Sequence, residues 1–293
     1  MAPIHVIVNE TAGSGEAAKA IADAFASAGV DATITCVAGP RLAEEAARAA
    51  ASGGIIVAVG GDGTVSTVAE AAVRGGATFG VVPAGTLNHF ARDAGLPLDL
   101  DKAVDAVAHG EVRMVDVGEV NGRLFVNNAS IGIYPRLVWE RESEQRRGRR
   151  KWVAFAIAIV RTWRRYRQMT VRMTIDGHVY VRRTPFVVIG NGKYQSEGLQ
   201  TGAREALDGG TLSVYVAPRY GRFEILALPL RALTRRLSRD VAFEIFLARQ
   251  VSIETARARV SLALDGEITV EHPPLNFRIR PRALRVLTPP LNL

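Results

Sequence analysis

The first third of the chain alternates short apolar runs with Ala-rich stretches whose apolar residues recur at helical spacing. The runs Ile4–Val8, Thr33–Val37, Ile55–Val59 and Phe79–Val82 predict strands. The stretches Gly15–Ala28, Arg41–Ala51 and Val65–Arg74 between them predict helices. Strand and helix taking turns in this way predicts βαβ units and a mostly parallel sheet with helices on both faces. From about Met114 the rhythm changes. Short strand-like segments separated by turns follow at Met114–Gly118, Arg123–Ala129, Thr170–Asp176, Thr184–Gly190, Thr211–Ala217, Val251–Thr255 and Val260–Leu264. They predict an antiparallel β domain. The tail, Leu275–Leu287, alternates again and is free to return to either domain.

The fold expected is therefore α/β: an N-terminal Rossmann-like parallel domain over residues 1–127 and a C-terminal antiparallel β-sandwich domain over 128–293. A chain of 293 residues, 48% hydrophobic, is long enough for two cores of this kind. The single cysteine, Cys36, excludes an internal disulfide and a thiolate metal cluster. Its place in an apolar strand predicts a buried, inert thiol. The N-terminus enters a strand at once without signal-peptide character, and no apolar run approaches the ~20 residues that cross a bilayer. A cytoplasmic protein is the expectation.

Glycine-rich loops follow three of the predicted strands: Asn9–Gly15, Gly60–Thr64 and Pro83–Asn88. All three fall at the carboxyl edge of a parallel sheet, where such folds hold ligands. In Gly60-Gly61-Asp62-Gly63-Thr64, residues without a Cβ let backbone N–H groups approach a phosphate chain. Thr64 is expected to cap the following helix, whose N-terminus favours an anion. A carboxylate among phosphate-binding groups makes sense when it faces a magnesium ion or a substrate hydroxyl, so Asp62 is the candidate for that part. Taken alone, the window also reads as an ordinary tight turn.

The formal charge is +8, and nearly all of the positive charge is Arg, since Lys occurs only at 19, 102, 151 and 193. Such a surface suits phosphates of nucleotide, nucleic acid or lipid. Residues 136–167 hold eleven Arg or Lys against three Glu, an excess equal to that of the whole chain. Within them Trp152, Phe155, Ile159, Trp163 and Tyr166 recur on one side of a helix. Basic charge beside an aromatic stripe fits a helix lying on an anionic membrane surface. A core helix with solvated Arg flanks fits as well. No nucleic-acid module is recognisable.

Six segments together resemble the soluble diacylglycerol kinase-type lipid kinases, whose catalytic domain is shared with sphingosine and ceramide kinases. Asn9-Glu10-Thr11-Ala12-Gly13-Ser14-Gly15 resembles that family's first nucleotide loop, and Gly60–Thr64 its Gly-Gly-Asp-Gly-Thr signature. Pro83-Ala84-Gly85-Thr86-Leu87-Asn88 with Phe90-Ala91-Arg92 resembles its next loop, and Asn127-Asn128-Ala129-Ser130-Ile131-Gly132 the turn between its domains. Ala206-Leu207-Asp208-Gly209-Gly210 and Leu264-Asp265-Gly266-Glu267 fall where it keeps two acidic segments. The order is right and the coverage is essentially the full length.

The resemblance implies transfer of the γ-phosphoryl of ATP, with Mg2+, to a lipid hydroxyl, with diacylglycerol the foremost acceptor. It implies that Asn9, Thr11, Ala12, Gly13, Gly60, Gly61, Asp62, Gly63, Thr64, Gly85, Thr86 and Asn88 contact the nucleotide. It makes Asp62 the residue orienting the catalytic magnesium, Glu267 the general base and Asp265 the residue positioning that segment. On local sequence alone, Asp265-Gly266-Glu267 is an ordinary hairpin turn. Asp208 is the candidate ligand of a structural magnesium ion that the family's acidic segment helps to hold. Three departures bear on these roles: Glu10 stands for Pro, His89 for an Asp after Asn88, and Gly209 for the second Asp of Asp-Asp-Gly. The partners implied are a lipid substrate and an anionic membrane surface, with the enzyme peripheral to the membrane and no nucleic acid. A homodimer through an exposed sheet edge is left open. NAD kinase shares the Gly-Gly-Asp-Gly-Thr loop but lacks the loop seen here at 85–92. A silent nucleotide- and lipid-binding regulator is the remaining rival, kept by the changes at 89 and 209.

Overall fold

The computed structural model describes residues 3–10, 15–39, 41–133, 135, 168–194, 204–219 and 243–290. The basic segment 136–167 and the loop residues Thr11, Ala12 and Gly13 lie outside the described residues. The chain forms two compact units. The first comprises Met1–Val117, Ala206–Gly209 and Arg280–Leu293, the second Gly118–Glu205 and Gly210–Ile279.

In the first unit, strands β1 (Ile4–Asn9), β2 (Ala32–Val37), β3 (Ile55–Gly60) and β4 (Thr78–Pro83) run parallel in the order β2-β1-β3-β4. The end of β16 (Leu275–Thr288) adds beside β4, parallel, through Arg285 and Val286. The connecting helices are α1 (Gly15–Ser27), α2 (Arg41–Ala51), α3 (Asp62–Gly75), the short α4 (His89–Asp93) and α5 (Leu100–His109). Ile21 and Phe25 of α1 and Ala103, Val104 and Val107 of α5 form one core with Ile4, Val6, Val8, Val57 and Val59 of the strands. The crossovers from β1 to β2 and from β2 to β3 run in opposite directions. Right-handed connections therefore set α1 and α2 on opposite faces. The strand order reverses between β1 and β3, and the crevice outside the carboxyl ends at such a reversal is where open α/β sheets take their ligands.

Two expectations from the sequence are corrected here. Helix α3 begins at Asp62 rather than Val65, with Gly61 as its N-cap residue and no side-chain cap bond. Thr64 therefore sits inside the first turn and caps nothing. Cys36 is exposed rather than buried. It lies on β2, the edge strand, where only Val37 is fully buried. Helix α5 was not anticipated, although Asp99 caps it by accepting from the Lys102 N–H.

The second unit is antiparallel, as the turn-separated strands predict. One sheet contains β12 (Glu244–Ala248), β11 (Leu212–Val216), β10 (Phe186–Asn191), β7 (Asn128–Gly132), β14 (Val260–Leu264) and β15 (Glu267–Glu271), in that order. The other places β8 (Met169–Ile175) between β9 (His178–Thr184) and β13 (Gln250–Thr255), with the start of β16 beside β13. Strand β5 (Glu111–Val120) pairs with the short β6 (Arg123–Phe125). Alternate residues point inward from both sheets: Val171 and Met173 of β8, Val251 and Ile253 of β13, and Leu275 and Phe277 of β16 meet Ile131, Ile189, Val214 and Leu262. Strands β9 and β12 approach through their side chains. The Arg182 guanidinium donates to both oxygens of Glu244, at 2.7 and 2.6 Å, and the Tyr180 and Phe246 rings lie 4.7 Å apart.

Candidate active site

The turns after β3 and β4 meet in the first unit because glycine leaves room for them. A Cβ on Gly60 would come within 2.6 Å of Thr64 Oγ1, and one on Gly85 within 2.5 Å of the Gly61 Cα. The Ala84 N–H donates to the Gly60 carbonyl at 2.9 Å, lacing the second loop to the third. The Asn9 amide donates to Thr64 Oγ1 at 2.9 Å, lacing the end of β1 to the first turn of α3 across the reversal of strand order. Thr64 is thus a buried tie between these elements. Substituting Gly60, Gly85 or this pair would disturb the backbone that lines the crevice.

Asn88 holds the third loop. Its backbone is left-handed at φ 51°, a conformation Asn tolerates better than most residues. Its side chain bonds Gly85 twice, accepting from the N–H at 3.0 Å and donating to the carbonyl at 2.9 Å. Thr86 and Leu87 lie exposed at the tip. His89 begins α4 and is half-buried.

Asp62 is the first residue of α3, at the helix N-terminus that opens on this edge. Its Oδ1 is buried and has no hydrogen-bond partner. A buried carboxylate oxygen left unmatched costs a few kcal/mol. An unmatched carboxylate oxygen at this edge fits a cation or a hydroxyl brought by a ligand.

The second unit carries the other predicted residues. Asp265 and Gly266 form the two-residue turn between β14 and β15, with φ of 47° and 91°, the twist that Asp-Gly hairpins supply. The Asp265 carboxylate is spent inside the protein. It accepts from the Val126 N–H at 2.8 Å, the Asn127 N–H at 2.8 Å and the Asn128 N–H at 2.9 Å. Its role is to clamp the hairpin to the corner before β7. Glu267 follows as the first, exposed residue of β15, paired with Leu264.

That corner is held from its other side by residues without a sequence signal. Arg204 is buried, and its Nη1 donates to the Val126 carbonyl at 2.7 Å and the Asn191 carbonyl at 3.1 Å. The Asn191 amide donates to Val126 O at 3.0 Å, and the Tyr194 hydroxyl to Asn127 O at 3.1 Å. An Arg in a stretch that reads as loop gives no hint of burial. Asp116 did leave one, a charge between two valines of a strand. It is buried and accepts from the Arg282 N–H at 2.8 Å. Asp208 is exposed, with its Oδ1 3.8 Å from Nη2 of Arg113.

Residues 3–120 match the diacylglycerol kinase catalytic domain family, and residues 136–288 the YegS C-terminal NAD kinase beta sandwich-like domain family. A diacylglycerol kinase of Bacillus subtilis (strain 168) is 39% identical over 89 residues, 29% of this chain and 29% of that protein. The one from Staphylococcus carnosus (strain TM300) is 26% identical over 242 residues, 80% of this chain and 76% of that one. The chain spans about three tenths of the length of the curated relatives it matches above 30% identity. A crystal structure of a diacylglycerol kinase from Bacillus anthracis str. Sterne superposes with a TM-score of 0.71 at 21% identity, covering 99% of this chain and 98% of that one. The fold and the two matched families agree with the ordered motifs, and the chain belongs to the diacylglycerol kinase-type lipid kinase family, related to NAD kinase.

Proposed function

We propose that this protein is an ATP-dependent kinase that transfers the γ-phosphoryl group to a lipid hydroxyl, with diacylglycerol as acceptor and phosphatidic acid as product. The observation that carries this reading is Asp62 Oδ1: a buried carboxylate oxygen without a hydrogen-bond partner, set at a helix N-terminus beside the glycine-laced turns after β3 and β4. Phosphoryl transfer asks a protein mainly for position and charge. The loops at 9–15, 60–64 and 83–88 hold the phosphates by backbone N–H groups. Asp62 would hold Mg2+, which would neutralise charge on the phosphates. Glu267 accepts the proton of the lipid hydroxyl as its oxygen attacks the γ-phosphorus and the bond to the β-phosphate breaks. Asp265 positions Glu267 by fixing its hairpin.

The basic-aromatic segment 136–167 is the proposed docking element for an anionic membrane surface, through which the enzyme would reach a lipid. Among the described residues no helix is long and apolar enough to cross a membrane. The test is incubation with γ-labelled ATP, magnesium and a panel of acceptors in micelles: diacylglycerol, monoacylglycerol, a long-chain base, phosphatidylglycerol and free NAD. Label in phosphatidic acid supports the proposal. Label on NAD alone, or on nothing while nucleotide still binds, overturns it.

A further inference from the structure

The segment Ala206–Gly209 belongs to the first unit, although the chain on either side of it belongs to the second. Something must hold this excursion in place. In the family the acidic residues here help to hold a structural magnesium ion, and the donor set of this chain does not fit one. Gly209 offers no side chain where the resemblance places a carboxylate, which leaves Asp208 as the acidic side chain of the segment. Among the described residues no three His, Cys, Asp or Glu side chains come together as a cation site. The remaining carboxylate, Asp208, faces a positive charge already: Arg113 Nη2 lies 3.8 Å from its Oδ1.

The fastening is otherwise complete without a metal. The carbonyl of the buried Leu207 accepts from the Asp116 N–H at 2.7 Å. Asp116 accepts in turn from the Arg282 N–H of β16 at 2.8 Å. Strand β5 therefore grips the segment at two places, through the Asp116 backbone and the Arg113 guanidinium. A dication near Asp208 would meet that guanidinium at about the distance of an ion pair, and like charges so close repel strongly even where water screens them.

We propose that Arg113 takes the place of the family's structural divalent cation, so that this chain keeps the 206–209 segment docked without metal. The claim concerns the first unit alone and does not depend on the acceptor or on turnover, because its readout is unfolding without nucleotide or lipid. The quantity read is the part of the magnesium-induced Tm shift that Asp208→Asn removes, measured as MgCl2 against EDTA. In the wild type it should be zero, and Arg113→Ala should lower Tm in both buffers.

The room around Gly209 permits a gain-of-function test. A Cβ there meets nothing within 4 Å and its φ is not left-handed, so an Asp can be added without strain. The double variant Gly209→Asp/Arg113→Ala should acquire an Asp208-dependent magnesium shift and bind one Mn2+ with at least tenfold higher affinity than the wild type. Gly209→Asp alone serves if the double variant does not fold, with a smaller gain expected. An Asp208-dependent magnesium shift in the wild type would overturn the proposal. So would designed variants as indifferent to magnesium as the wild type.

Discussion

Replacing Asp265 separates scaffold from chemistry. Its carboxylate accepts three backbone N–H groups, at 2.8, 2.8 and 2.9 Å. A hydrogen bond to a charged group contributes about 1.5–3 kcal/mol. Asp265→Asn keeps a side chain that tolerates φ of 47° and one oxygen for the Asn127 and Asn128 N–H groups. It sets an NH2 against the Val126 N–H and removes the charge from the other two bonds. One bond lost and two weakened amounts to roughly 3 kcal/mol, allowing for bonds that do not add independently. Asp265→Ala loses all three and puts Ala in the left-handed region, an added cost of about 1–2 kcal/mol. Calorimetric unfolding of the full chain reads the effect. At about 2–4 °C per kcal/mol for a unit of this size, Asp265→Asn should lower the transition of the second unit by about 6–12 °C. Transfer measured well below that transition should fall in kcat but persist, because the hairpin that positions Glu267 is loosened while Glu267 itself is kept. A variant that unfolds like the wild type yet transfers nothing would refute the reasoning, since the carboxylate would then act on substrate or metal directly.

Gly85→Ala must push a methyl to within 2.5 Å of the Gly61 Cα. Overpacking of this kind costs about 1–3 kcal/mol, and the KM for ATP should rise while an exposed change such as Leu87→Ala leaves it unaltered. Thr64→Val removes the bond from Asn9 and should cost about 1 kcal/mol in unfolding. Glu244 is held below the usual carboxylate range, chiefly by its hydrogen bonds from Arg182 and also by that residue's charge, against the opposing effect of burial. A depressed folded value gives stability that is present above the ordinary Glu pKa of about 4.3 and is lost as pH falls through the folded value. Glu244→Gln should therefore be less stable than the wild type at neutral pH. Both side chains are more than a third exposed, which limits the difference to about 0.5–1 kcal/mol. The gap should close as the medium is acidified through that window, and a gap constant down to low pH would contradict the assignment. Vesicles rich in anionic lipid should sediment the protein more than neutral ones, with added salt weakening the binding, whereas equal partition would sink the docking role of 136–167.

The parallel half of the fold could be read closely because its apolar runs are short, bounded by glycine and spaced by clear helical periods. β1, β3, β4 and α2 fall within a residue or so of their predicted ends. Thr64 misled because Ser and Thr near a helix start usually cap it, while here the helix begins earlier, at Asp62, with Gly61 as its N-cap residue. Cys36 misled because apolar neighbours do not reveal an edge strand. β9 went unpredicted because its outward valines, Val179 and Val181, break the polar-out pattern that betrays a half-buried strand. Of the candidate site, the glycine loops and Asp62 were legible as motifs. The hold of Asn191, Arg204 and Tyr194 on the 126–128 corner was not, since it joins residues far apart in sequence by bonds to backbone, which carry no residue signature.

The most direct test of the central claim sets the wild type beside Glu267→Gln and Asp62→Asn in one assay of label transfer from γ-labelled ATP to diacylglycerol, with ATP binding measured in parallel. The account predicts phosphatidic acid from the wild type, with kcat reduced at least a hundredfold by Glu267→Gln at unchanged ATP affinity, as loss of a general base requires. It predicts near-complete loss in Asp62→Asn with magnesium no longer strengthening ATP binding. Full transfer by either variant would contradict it.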